Sequence, residues 1–178
     1  MNVLGLVGSP RRGANTDLLV SAILYGAGAG KHVVDKVYLY DVDIGPCVDC
    51  QACKNGSHKC ALGDGMQLLY SKLEAADVIL FGTPLYWYGP SAKMKLLVDR
   101  LRPLIASQVL KGKKAILIIP SEEGEKACRH AVGMFKLSFD YLGIKIIGKF
   151  LPKTEERTAI KQQPKMLNEA FKLGKNLK

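Results

Sequence analysis

Cysteines supply the sharpest chemical pattern in this chain. Cys47, Cys50, Cys53 and Cys60 lie within fourteen residues in the spacing C-x2-C-x2-C-x6-C, and a fifth, Cys128, stands apart. In a reducing compartment, clustered cysteines serve as metal ligands more often than as disulfides. The two successive x2 spacings bring three thiolates into one tight turn, and such a loop can wrap successive corners of a four-iron cubane. In two-cluster ferredoxins the fourth cysteine of a run serves the other cluster. No second set occurs here, so Cys60 is expected to close the same site. The run reads first as a [4Fe–4S] site. Structural zinc favours paired knuckles with a longer spacer, which this segment lacks, but zinc and free redox-active thiols stay open as alternatives. Lys54, His58 and Lys59 read as positive surroundings for an anionic cluster, His32 and His130 as surface or helix histidines, and Cys128 as a buried free thiol.

Two further stretches can bind a ligand. Gly8-Ser9-Pro10-Arg11-Arg12-Gly13-Ala14-Asn15-Thr16 joins an apolar run to a helical pattern. It has neither the Gly-Lys-Ser/Thr of a Walker loop nor the glycine spacing of a dinucleotide fingerprint. It does offer backbone donors around Gly13 and a helix N-terminus, whose partial positive charge and unpaired N–H groups suit a phosphate. Ser9, Asn15 and Thr16 can add side-chain donors and Arg11 a charge-assisted contact; equally, Asn15 or Thr16 can simply cap the helix. The second stretch, Gly82-Thr83-Pro84-Leu85-Tyr86-Trp87-Tyr88-Gly89-Pro90, holds the one tryptophan and two of the seven tyrosines. Aromatics on a loop bounded by glycine and proline suit a flat conjugated ligand, or a packing or dimer contact.

Gly8-Ser9-Pro10…Gly13-Ala14-Asn15-Thr16, Thr83-Pro84-Leu85-Tyr86-Trp87 and Lys95…Asp99-Arg100 together resemble the NADPH-dependent FMN reductase family of flavodoxin-like proteins, over at least residues 1–125. The resemblance implies a parallel sheet of strand order 2-1-3-4-5. It also implies an FMN phosphate held by Ser9, Arg11, Gly13, Asn15 and Thr16, with the isoalloxazine beside Pro84, Leu85, Tyr86 and Trp87. Ser121-Glu122-Glu123-Gly124 matches the loop that closes over the flavin in relatives, which adds Ser121 and Glu123 to the cofactor-binding set. With the cysteine spacing, the chain is similar to the iron–sulfur flavoproteins, a branch with a compact cysteine motif after the second strand. That branch implies FMN plus one [4Fe–4S] cluster on Cys47, Cys50, Cys53 and Cys60. It implies an oxidoreductase that passes electrons between a two-electron flavin couple and one-electron carriers. The aromatic loop from Tyr86 to Tyr88 would be partly exposed in a single copy, which predicts a homo-oligomer, a dimer or dimer of dimers, in which the cluster of one chain approaches the flavin of another. Lys54 and Lys59 beside the cluster suit an acidic ferredoxin-like carrier, with NAD(P)H as the alternative partner. No side chain stands out as a general acid or nucleophile, so no catalytic residue is assigned. A cluster-free NAD(P)H-dependent FMN or quinone reductase is the alternative. A zinc-stabilised nucleic-acid or protein-binding module is a second, against which the flavin loops speak.

The elements that must position these residues alternate along the chain. Apolar runs at 2–8, 33–40, 77–83, 114–120 and 144–150 read as strands. Helical spacing follows from Asn15 and then at 66–75, 90–104, 125–142 and 162–176, with Asp99 and Arg100 expected to close the third helix as an ion pair. Such alternation specifies an α/β domain, doubly wound around a five-stranded parallel sheet whose strands are buried on both faces. In doubly wound folds, ligands bind outside the carboxyl ends of the strands. Only residues 41–65 are too long for a plain βα connection, and the four cysteines sit there.

Composition sets the outer limits. The 178 residues fit one domain spanning 1–178, and 48% hydrophobic with 24% charged residues is ordinary globular usage. No apolar stretch is long enough to span a bilayer and no export signal is read, so a cytoplasmic protein is expected. Residues 1–110 carry 11 basic and 9 acidic side chains and residues 111–178 carry 15 and 7, so the net +10 divides as +2 and +8. No nucleic-acid motif accompanies the basic third, which reads as a solvated lysine-rich surface rather than a nucleic-acid or membrane site.

Overall fold

The computed structural model describes residues 1–55 and 58–178. Five parallel strands form the sheet: β1 (Asn2–Val7), β2 (Val33–Tyr38), β3 (Val78–Gly82), β6 (Lys114–Ile118) and β7 (Lys145–Phe150), in the order β2-β1-β3-β6-β7. These are the five strands of the sequence reading in its 2-1-3-4-5 arrangement, all parallel. Alternate residues of the three inner strands feed two cores. Leu4, Leu6, Ile79, Phe81 and Leu117 pack under α2 (Met66–Ala75), α3 (Ala92–Asp99), α4 (Pro103–Ser107) and α5 (Glu125–Leu142). Val3, Val7, Val78, Leu80, Ile116 and Ile118 pack under α1 (Asn15–Ala29) and α6 (Pro164–Lys175).

The approach of α1 to the sheet and to α6 depends on missing side chains. A Cβ on Gly82 would meet Val20 Cγ2, and one on Gly174 would meet the backbone carbonyl of Ile23. The two outer helices therefore touch backbone to backbone. On the other face Phe81, Phe135 and Phe139 form a tilted triad with ring centroids 4.6–5.9 Å apart.

Three expectations change. The inner strands are buried on both faces, but edge strands β2 and β7 are not, because each has a neighbour on one side only. The helix expected over 90–104 divides into α3 and α4. Continuing it would drive the Pro103 ring into the Asp99 carbonyl and lose a hydrogen bond, so Pro103 instead opens the new helix. The aromatic loop is an antiparallel hairpin, β4 (Leu85–Tyr86) and β5 (Gly89–Pro90), turned by Trp87 and Tyr88. Among the described residues no helix is long and apolar enough to cross a membrane.

Candidate functional site

Four of the five sheet strands end on one cavity of about 920 Å³. The β1 loop contributes Ser9, Arg11, Asn15 and Thr16, and the β3 loop Pro84, Leu85, Tyr86 and Trp87. The β6 loop adds Ser121 and Glu123. Thus ten of the eleven residues expected around a flavin line one space outside the carboxyl end of the sheet. The volume lies within the range of cofactor pockets, roughly 300–1,000 Å³. Gly13 alone is outside the lining. Its φ of 66° lets the loop turn, and its N–H donates to Asp17 Oδ2 at 2.7 Å.

The loops are held by buried polar bonds. Ser91, the N-cap of α3, donates through Oγ to the Gly8 carbonyl at 2.5 Å, and its N–H reaches Thr83 Oγ1 at 2.9 Å. One serine thereby ties the β1 loop to the β3 loop. Asp17 accepts from Gly13, from Lys36 at 2.9 Å and from the Tyr38 hydroxyl at 3.0 Å. Burial works against its ionised form, but these donors outweigh burial and hold its carboxyl below the ordinary range. No backbone carbonyl takes the N–H of Thr16 or Asp17, and the Thr16 hydroxyl makes no hydrogen bond among the described residues, so donors remain at the start of α1.

Asn15 is engaged elsewhere. Its Nδ2 donates to the Glu156 carbonyl at 2.6 Å, its Oδ1 accepts from Ile160 N–H at 3.1 Å, and its own N–H donates to the Arg157 carbonyl at 3.0 Å. These bonds hold the segment after β7 against the cavity, where Thr154, Glu155, Glu156, Arg157 and Thr158 form a wall the sequence reading did not include. Trp87 and Tyr88 sit at φ 48° and 62°, a two-residue turn usually built from Asn-Gly, and Trp87 is 97% exposed. Backbone of this kind in bulky residues costs of order 1–3 kcal/mol each and clusters at ligand sites.

The cysteine loop leaves β2 at the same end of the sheet. Cys47, Cys50, Cys53 and Cys60 all line a second cavity of about 220 Å³, with Lys54, Arg100 and Arg102. Cys47 and Cys50 are exposed and the other two half-buried. Among the described residues no three of His, Cys, Asp and Glu stand close enough to hold a metal ion together. Two other features fit an anionic thiolate cluster: all four cysteines line one space, and a buried arginine on its wall, Arg100, has an Nε without a hydrogen-bond partner among the described residues.

Asp99 and Arg100 do not pair with each other as expected. Asp99 pairs with Lys95 one turn back at 2.6 Å, while Arg100 turns inward to Asp64. Cys128 is fully buried, with Sγ 3.5 Å from the Ile119 carbonyl, and burial pushes its thiol pKa up, as suits an inert core residue.

The model of the NADPH-dependent FMN reductase family matches residues 1–155. The chain belongs to that family. Within the FMN reductases its sequence is similar to the iron–sulfur flavoprotein branch. An iron–sulfur flavoprotein of Methanocaldococcus jannaschii is 37% identical over 113 residues, covering 64% of this chain and 58% of that protein. One from Methanosarcina thermophila is 34% identical over 100 residues, covering 56% and 52%. The chain spans a little over half the length of these relatives. Among solved structures, the Trp repressor binding protein from Bacillus subtilis superposes with a TM-score of 0.72 at 22% identity, over 100% of this chain and 99% of that one. An NAD(P)H:quinone oxidoreductase from Methanothermobacter marburgensis gives 0.71 at 18%, over 100% and 99%. At these identities the likeness establishes the flavodoxin-like fold of the FMN reductase.

Proposed function

We propose that this FMN reductase family member is an oxidoreductase that binds FMN in the large cavity and a [4Fe–4S] cluster on Cys47, Cys50, Cys53 and Cys60. The observation that carries the reading is the convergence of three loops, each expected separately to touch a flavin, on one space at the switch point of the sheet. The second, thiol-lined space at the same sheet end and the iron–sulfur flavoprotein relatives support the cluster.

Each group has a task in this reading. Ser9, Arg11, Thr16 and the free N–H groups at the start of α1 hold the phosphate, with the helix dipole adding to the attraction. Gly13 shapes that loop through its bond to Asp17, and Asn15 closes it from behind. Pro84, Leu85, Tyr86 and Trp87 flank the isoalloxazine and exclude water from one side, while Ser121 and Glu123 border the other. When bound, FMN exchanges electrons singly or in pairs and the cluster one at a time, so the two can link a two-electron couple to one-electron carriers.

The exposed Tyr86–Tyr88 turn supports a homo-oligomer, a dimer or dimer of dimers, in which a second copy covers the flavin and brings its cluster close. Lys54 and Lys59 would steer an acidic carrier such as a ferredoxin, and NAD(P)H is the alternative electron source. The visible spectrum and the iron, sulfide and zinc content of anaerobically purified protein test the cofactor reading. Flavin with iron and sulfide is the expected result. Flavin alone would make the protein a cluster-free reductase, and a colourless zinc protein would refute both.

A further inference from the structure

Arg100 is buried to an extent that its neighbours do not require. Its side chain is 1% exposed, whereas the other charged residues lining the thiol cavity, Asp49, Lys54, Asp99 and Arg102, all reach solvent. Its backbone is fixed at the end of α3, where the N–H bonds to the Leu96 and Leu97 carbonyls and the carbonyl accepts from the Tyr70 hydroxyl at 2.7 Å. The guanidinium is then aimed at the cysteine loop. Nη1 donates to Asp64 Oδ2 at 2.7 Å and to the Gly45 carbonyl at 2.8 Å. Nη2 donates to Asp64 Oδ1 at 3.0 Å and to Cys60 Sγ at 3.3 Å.

These four bonds join two places far apart along the loop. Gly45 stands two residues before the first cysteine, and Cys60 and Asp64 stand at its far end. Asp64 adds a second tie, accepting the Gly45 N–H at 2.9 Å and the Met66 N–H at 3.0 Å. Arg100 and Asp64 thus fasten the entry of the loop to its exit, and the fork geometry needed is specific to arginine. Burying such a pair contributes little net stability over an apolar pair of the same shape, so a core role explains it poorly.

We propose that Arg100 is a positioning residue for the iron–sulfur cluster: it holds the cysteine loop closed and donates an N–H···S hydrogen bond to the Cys60 thiolate, which raises the reduction potential of the cluster. The inference rests on the cluster reading above. Hydrogen bonds to the sulfurs and local charge are among the main protein controls on such potentials, because reduction adds negative charge that a donor stabilises. Asp64 neutralises the net charge of Arg100, so the sulfur meets an oriented N–H dipole rather than a bare cation. This fixes the signs. Replacing both partners removes the donor and lowers the potential, whereas neutralising Asp64 alone leaves an unbalanced cation beside the sulfur and raises it.

The test compares wild type, Arg100→Met/Asp64→Asn and Asp64→Asn as anaerobically reconstituted holoproteins, with the potential read by redox titration followed by EPR; methionine keeps the length of the side chain and has no N–H to donate. The double variant leaves neither charge buried alone, which protects folding. Its reduced-to-oxidised ratio at fixed ambient potential should fall about tenfold, equivalent to about 59 mV for a one-electron couple, while Asp64→Asn should shift the opposite way. Iron, sulfide and FMN per chain are measured in parallel. Loss of iron from the double variant with FMN retained supports the closing role. Equal potentials and equal iron in all three proteins overturn the proposal and leave the cluster reading standing. Wild type that takes up FMN but no iron overturns both.

Discussion

Asn15 and Thr16 are adjacent and both line the large cavity, but they differ in their bonds: Asn15 is tied to the segment after β7, whereas the Thr16 hydroxyl makes no hydrogen bond among the described residues. Replacing Asn15 with alanine removes a donor from the Glu156 carbonyl and an acceptor from the Ile160 N–H. Glu156 is exposed and its carbonyl can turn to water, but Ile160 is fully buried. One buried orphan N–H costs about 1–3 kcal/mol, and a protein of this size loses roughly 2–4 °C of melting temperature per kcal/mol. Asn15→Ala should therefore melt about 5 °C lower in the FMN-free protein, and bind FMN more weakly because the wall at 154–158 is no longer tied to α1. Thr16→Val keeps the shape and the helix but removes a hydroxyl that has no hydrogen-bond partner among the described residues. Its FMN-free melting temperature should not move, while FMN affinity should drop about tenfold, the loss of one charge-assisted hydrogen bond of about 1.5 kcal/mol or more. Thermal melts without FMN and fluorescence titrations with it separate the two effects. If Asn15→Ala melts like wild type yet loses FMN, Asn15 is a phosphate ligand and the clamp described here is wrong.

Three further outcomes follow from other parts of the molecule. Gly174→Ala places a Cβ against the Ile23 carbonyl, and because a backbone cannot yield as a side chain does, the denaturation midpoint should fall by an amount equivalent to about 1–3 kcal/mol or more; an unchanged midpoint would deny the backbone contact between α1 and α6. The Arg100 guanidinium holds the Asp64 carboxyl down at about 2 from an ordinary 3.8, so the fold with Asp64 ionised is favoured by about 2 kcal/mol over the fold with it protonated, a difference fully present above about pH 4 and lost as the pH falls toward 2; Asp64→Asn should flatten that part of the acid-stability curve. Cys50→Ser should remove iron while FMN stays bound, whereas Cys128→Ser, deep beneath the β6 loop, should leave iron content untouched.

The fold was legible because the three inner strands are apolar beyond the polar residue that opens β1 and β6, and the helices between them carry turns of helical spacing, so order and direction followed from alternation. The cavity was legible for a related reason: ligand loops in such a sheet fall at strand ends, and Ser9 to Thr16 and Pro84 to Trp87 announce themselves by type. Three features were not. A Trp-Tyr pair gives no hint of the left-handed turn it makes, because nothing in either side chain favours positive φ. Arg100 looked like the partner of Asp99, since sequence neighbours are the simplest pair, but successive helix residues face different ways and only the fold brings Asp64 beside it. The wall at 154–158 lacks motif character and reaches the cavity only because Asn15, more than a hundred residues earlier, holds its backbone.

Coupling of a two-electron flavin to a one-electron cluster is most directly tested by counting electrons. Anaerobic holoprotein is titrated with a calibrated reductant until its visible absorbance stops changing, with FMN determined on the same sample. The account predicts an uptake of one electron per chain beyond what the FMN accepts, with bleaching of a broad iron–sulfur band distinct from the flavin peaks. Uptake equal to that of the FMN alone, in protein whose four loop cysteines are intact, would contradict it.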